Sequence, residues 1–153
     1  MNCRDGLLGA ARFADELGFD CAMALDVGLT GDIPGPDERD FPARLGAGPI
    51  VVFQVASCHH LHRLSDLMLR IAARDHIPVQ RAVFQSYGSD GVAMIRRGVQ
   101  TALLTYPTKY THSPIETVDD TDLEHTVDLL VAFVLAGPDS ERSTHDQERG
   151  LGQ

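Results

Sequence analysis

Cys21-Ala22-Met23-Ala24-Leu25-Asp26-Val27-Gly28-Leu29-Thr30-Gly31-Asp32-Ile33-Pro34-Gly35 is the stretch on which the reading of the fold turns. An apolar run, Cys21 to Leu25, drives straight into a carboxylate at Asp26, and Gly28, Gly31, Pro34 and Gly35 follow. A short apolar run bounded by Gly and Pro predicts a buried strand, here over Phe19 to Asp26. In open α/β sheets ligands sit outside the carboxyl ends of the strands. Asp26 is therefore either a loop carboxylate that caps its own turn or a metal ligand, general base or substrate anchor.

Outward from that stretch, helical and strand patterns alternate. Upstream, Leu7, Ala10, Ala11, Ala14 and Leu17 share one face of a helix that starts at Asp5 and stops at Gly18. Downstream, the Pro- and Gly-rich segment 28–47 is too long for a hairpin turn, and long ordered loops are commonly functional. Pro49 to Val55 is β-branched and predicts a second strand. Ser57 can cap a helix to Asp75, with Leu61, Leu64, Met68 and Ile71 inward. Val79 to Phe84 alternates like a strand, Gly88-Ser89-Asp90-Gly91 turns into a short helix ending at Arg97, and Val99 to Thr105 is a fourth strand. Asp119 or Thr121 caps a last helix to Leu135, with Leu123, Val127, Leu130, Val131 and Val134 inward. This alternation predicts an α/β sandwich around a mixed, mainly parallel sheet. The packed domain is expected over 1–136, and the polar segment 137–153 is expected to be a disordered tail.

The totals fit one ordinary globular domain: 153 residues, 43% hydrophobic and 23% charged. Twenty-two acidic against 13 basic residues give a formal net charge of -9. That sign disfavours nucleic acid and anionic membrane surfaces as partners. No apolar run approaches a membrane span, and Cys3, Cys21 and Cys58 make no disulfide framework, so a reducing cytoplasm is expected. No phosphate-loop or dinucleotide glycine motif follows a strand.

Three candidate positions carry chemistry: Asp26, the turn Gly88, Ser89 and Asp90, and His112 in the loop Thr111-His112-Ser113-Pro114. Asp and His both suit zinc, and adjacent loops at one sheet edge bring such residues together. The alternative for His112 is a loop histidine bonded to backbone. Asp32 serves either the substrate-side loop or that loop's own folding. Cys58-His59-His60-Leu61-His62 packs four zinc-competent side chains into five residues. Placed on the first turn of a helix, with no second cluster, they read as a solvated helix start and only secondarily as a metal site.

Several of these motifs, in order, resemble the dinuclear metallo-aminopeptidases that include the TET peptidases and glutamyl aminopeptidases. Ala24 to Gly35 is similar to their metal-ligand segment, as is Leu45-Gly46-Ala47-Gly48-Pro49 that follows it. Ile77-Pro78-Val79-Gln80 resembles their I-P-Y-Q strand and Gly88-Ser89-Asp90-Gly91 their G-T-D-A. Arg97-Gly98-Val99-Gln100-Thr101-Ala102, Pro107 to Pro114 and Val127-Asp128-Leu129-Leu130 keep the family order. The resemblance implies a three-layer zinc-peptidase sandwich and hydrolysis of N-terminal residues from peptides. It implies two divalent metals, zinc or cobalt, bridged by an Asp, with Asp26 at the family's terminal Asp ligand and His112 at its late His ligand.

The departures carry expectations of their own. The family's first metal His and bridging Asp lie in an upstream half without a counterpart here. Cys3-Arg4 stand where the family's Glu-Glu base and ligand would stand, and a guanidinium cannot act as a base. The chain therefore reads as the C-terminal half of a catalytic domain, without the inserted β-domain and with no catalytic base. At most one weakly held ion is expected, since a catalytic zinc normally has three protein ligands. Strand edges and an apolar face should be exposed. The partners implied are peptides if the site is complemented, an N-terminal half-enzyme, and further copies in a homo-oligomer. The alternative is a non-catalytic, oligomer-forming paralogue.

Overall fold

The fold is seen in a computed structural model. The structure describes residues 7–137 apart from 36 and 38. Cys3 and Arg4, and all of the expected tail beyond Gly137, lie outside the described residues.

Nine elements alternate along the chain: α1 (Leu8–Glu16), β1 (Cys21–Leu29), β2 (Ile50–Val55), β3 (Cys58–His59), α2 (His62–Arg74), β4 (Gln80–Val83), α3 (Asp90–Ile95), β5 (Gln100–Thr108) and α4 (Asp120–Ala136). The sheet runs β1-β5-β2, and the far side of β2 is shared by β4 and the two-residue β3. β1 pairs with β5 in parallel along its whole length, from Cys21–Gln100 to Leu29–Thr108. β2 is parallel to β4 but antiparallel to β5 and β3. The sheet is thus mixed, with its longest ladder parallel.

Alternating side chains feed two cores. Ala24, Ile50, Val52, Ala82 and Leu103 pack on one face with Phe84, Tyr87 and Val92. Val51, Ala102 and Leu104 pack on the other with Leu64, Met68 and Ile71 of α2 and Leu129 and Phe133 of α4. Helix α3, with α1 packed on it, covers the first face, and α2 and α4 cover the second. This is the α/β sandwich that the alternation predicted, in the three layers that the resemblance implied. Within the described sheet, β1 pairs only with β5, so one side of β1 is an open edge. No described helix is long and apolar enough to cross a membrane.

Three sequence expectations shift. β1 does not stop at Asp26 but continues to Leu29. Gly28 is not a breaker: a Cβ there would lie 2.5 Å from Ile50 Cδ1 and 2.6 Å from Thr105 Oγ1, so close packing between strands requires glycine. The helix after β2 begins at His62, because Cys58–His59 pair with β2 instead. Last, α4 turns a different face inward. Asp122, Thr126, Leu129 and Phe133 are its buried residues, whereas Val127, Val131 and Val134 are exposed. The helix is rotated by Asp122, whose carboxylate is buried to hold the loop ahead of β2, accepting from Gly46 N and Gly48 N at 2.7 Å each. An apolar count along α4 could not show a polar anchor of this kind.

Candidate functional site

β1 and β5 run side by side in parallel, so their carboxyl ends and the loops beyond them meet at one edge. Asp26 stands opposite Thr105 in that ladder, and Thr105 in turn stands opposite Ile50 of β2. Its Oδ1 accepts from the Val27 backbone N–H at 2.8 Å.

Burial pushes the Asp26 carboxyl above the ordinary carboxylate range. The Val27 N–H and the Tyr87 hydroxyl pull it back down, the Asp90 carboxylate raises it, and His112 lowers it. Asp26 lies on β1, Tyr87 and Asp90 at the turn into α3, and His112 in the loop between β5 and α4. The Tyr87 hydroxyl donates to the Val27 carbonyl at 2.5 Å, beside the carboxylate it stabilises. Tyr87 is nearly buried and stacks on Phe84 with ring centroids 5.3 Å apart. The turn that precedes α3 is thereby fixed to β1.

His112 is exposed and has a left-handed backbone, φ 65. Its N–H donates to Glu116 Oε1 at 2.8 Å, and the Lys109–Thr117 bridge closes the loop beneath it. Asp32 is engaged elsewhere: its Oδ2 pairs with Lys109 Nζ at 2.7 Å. Burial opposes its ionisation, but the Lys109 ammonium and the Thr30 hydroxyl outweigh burial and lower its pKa. In the turn, Gly88 has open space around it, while Ser89 is buried with a hydroxyl that lacks a hydrogen-bond partner among the described residues. Gly91 seats α3 closely, since a Cβ there would lie 3.3 Å from His60 Cε1 and 3.4 Å from Ala24 Cβ.

Among the described residues no three His, Cys, Asp or Glu side chains group so that they could hold an ion. Cys58 and His59 lie on a strand, the His60 ring is buried and the His62 ring packs on Phe53 at 5.6 Å. Burial raises the Cys58 thiol pKa, against the pull of Arg96. Two surface clefts, of about 420 and 380 Å³, also lie away from the carboxylate edge, and neither has Asp26, Asp90 or His112 in its wall.

Asp26 and His112 have the right donor chemistry for a divalent metal, but the described residues bring no third donor to them. A catalytic metal needs about three protein ligands, so the described residues do not fit such a centre alone. Sequence reasoning missed Tyr87 and Lys109. Tyr87 immediately precedes the Gly88 motif, and an aromatic three residues after Phe84 is the signal that could have found it.

Residues 6–129 match the M42 glutamyl aminopeptidase family. A protein of Acetivibrio thermocellus named as an aminopeptidase is 32% identical over 133 residues, which are 84% of this chain and 39% of that protein. The structure of aminopeptidase APDkam598 from Desulfurococcus kamchatkensis superposes with a TM-score of 0.81 at 29% identity, covering 88% of this chain and 39% of that one. The Pyrococcus horikoshii TET1 peptidase, which can assemble into a tetrahedron or a large octahedral shell, gives 0.70 at 31% identity, covering 84% and 37%. The chain thus spans about two-fifths of the length of the proteins it matches. With that match over most of its length, the chain belongs to the M42 glutamyl aminopeptidase family.

Proposed function

We propose that this chain contributes Asp26 and His112, as divalent-metal ligands, to the site of a metallo-aminopeptidase that releases N-terminal residues from peptides. The observation that carries this reading is the placement of Asp26 on β1 in a parallel ladder with β5, whose following loop carries His112, in a chain that belongs to an aminopeptidase family. Asp32 and the turn of Gly88, Ser89 and Asp90 form the substrate side of that edge. The metal is zinc or cobalt, and the described residues hold at most one ion, weakly. Cys3 and Arg4 supply no general base, so hydrolysis needs a base and further ligands from outside the described residues, such as an N-terminal half-enzyme. The chain works in the cytoplasm, with Cys21 and Cys58 as free thiols.

The test is complementation. The chain is mixed with the N-terminal part of a family member's domain, and release of aminoacyl p-nitroanilide is followed with zinc or cobalt present. Activity that appears on mixing and vanishes in Asp26→Asn supports the reading. No activity from a mixture shown to associate overturns it.

A second reading is a non-catalytic member that self-associates. It is favoured by the exposed apolar residues of α4, Val127, Val131, Val134 and Leu135.

A further inference from the structure

The cleft of about 380 Å³ lies at the end of the sheet away from Asp26. One wall is the run from His59 to Arg63, and the other is Ile95 with the segment that opens β5. Gln100 in that segment stands opposite Cys21, at the amino ends of β5 and β1. The chain as a whole carries a formal net charge of -9. In this cleft, however, His59, His60, His62 and Arg63 stand in the wall and no described Asp or Glu does.

The same wall is the start of α2. Its first turn holds no acidic residue, and Leu61 at the N-cap makes no side-chain cap bond. The first N–H groups of a helix have no partner within it and form its positive end, which takes oxyanions. A second observation, independent of the helix, points to the same ligand. His60 is 2% exposed, and neither of its ring nitrogens has a hydrogen-bond partner among the described residues. Its backbone is fixed, since its N–H donates to the Phe53 carbonyl at 2.9 Å and the Leu61 N–H to the Thr101 carbonyl at 3.0 Å. A neutral imidazole always carries one N–H donor, and a buried donor left unmet costs free energy that a bound acceptor recovers.

We propose that this cleft binds a phosphate group, free or as a monoester, whose oxygens accept from the first N–H groups of α2, from Arg63 and from the His60 ring. Arg63 carries five N–H donors, so it serves the phosphate beside the contacts it already makes. A cation is the wrong ligand here, because the Arg63 guanidinium repels it. Leu61, Ile95 and Val99 give the rest of the wall an apolar surface, against which the organic group of a monoester packs. A ligand so held joins the corner between β3 and α2 to the start of β5, and stabilises the fold by binding the native state alone.

The test is nuclear magnetic resonance of the chain with nitrogen-15-labelled histidine. Inorganic phosphate and phenyl phosphate are titrated at constant ionic strength, with chloride as the control. The His60 ring nitrogens are expected to shift saturably with millimolar phosphate and not with chloride. A tighter response to phenyl phosphate assigns the monoester, and an equal one the free ion. His60→Met and Arg63→Gln, followed at the backbone amide of His62, are each expected to weaken binding about tenfold, the loss of one hydrogen bond to a charged acceptor. No saturable His60 shift with either compound overturns the proposal, as does binding that either substitution leaves unchanged. If a variant does not fold, the His60 shift in the wild type decides.

Discussion

The Asp122 carboxylate of α4 holds Gly48, whose N–H donates to it at 2.7 Å, and its other oxygen accepts from Gly46 at the same distance. Gly48 has φ 88, and a side chain there would strike the Pro78 carbonyl. Gln80 fastens the same loop, donating to the Gly48 carbonyl at 2.8 Å and the Arg44 carbonyl at 2.9 Å. One buried acid thus sets both where β2 begins and which face of α4 turns outward.

Asp122→Ala should therefore be among the more damaging substitutions in the chain. It orphans two N–H groups, each of which loses a hydrogen bond to a charged acceptor worth roughly 1.5–3 kcal/mol. A loss of about 3 kcal/mol or more in urea denaturation is expected, with Asp122→Asn recovering part of it.

His60 gives a pH dependence of defined sign. The ring is 2% exposed and neither nitrogen has a hydrogen-bond partner among the described residues. Burial lowers its pKa below 6.5, and the nearby Thr101 backbone opposes this only in part. The unfolded chain then binds a proton more readily than the folded one, so stability falls as pH drops below about 6.5. His60→Met removes both that limb and an unpaired buried polar ring. It should be more stable than the wild type by on the order of 1 kcal/mol at pH 7, and by more at pH 5.5. Denaturation at the two values measures the difference.

Tyr87→Phe tests what holds Asp26. Removing the hydroxyl deletes one of the influences that favour the ionised carboxylate, while burial and Asp90 remain. The Asp26 carboxyl should then titrate at higher pH than in the wild type, read from its carbon-13 shift. The Phe84 stacking survives the change, so the fold should lose only about 1 kcal/mol.

The layered α/β plan was legible because apolar periodicity and turn residues are local signals, and Cys21 to Leu25 and Pro49 to Val55 both became strands. Strand ends were less legible. Gly28 reads as a breaker in sequence, yet its missing Cβ answers Ile50 and Thr105, which lie far away along the chain. The face of α4 was misjudged for a related reason, since Asp122 is buried by a loop more than seventy residues upstream. Ser57 offered a helix cap, but the pairing of Cys58 with Val55 across a tight turn took that segment into the sheet. At the site, motif order pointed to Asp26, Asp90 and His112, which lie on β1, at the start of α3 and in the loop between β5 and α4. Tyr87 escaped because the spacing from Phe84 marks an aromatic pair but does not show that the hydroxyl reaches back to Val27 of β1.

The central claim is that Asp26 and His112 form two donors of a metal centre which the described residues leave incomplete. Calorimetric titration of the chain with zinc and with cobalt measures it most directly. At most one ion should bind, with weak affinity, and Asp26→Asn and His112→Ala should each abolish binding. Two ions bound tightly by the unmodified chain, or one ion that both substitutions leave in place, would contradict the account.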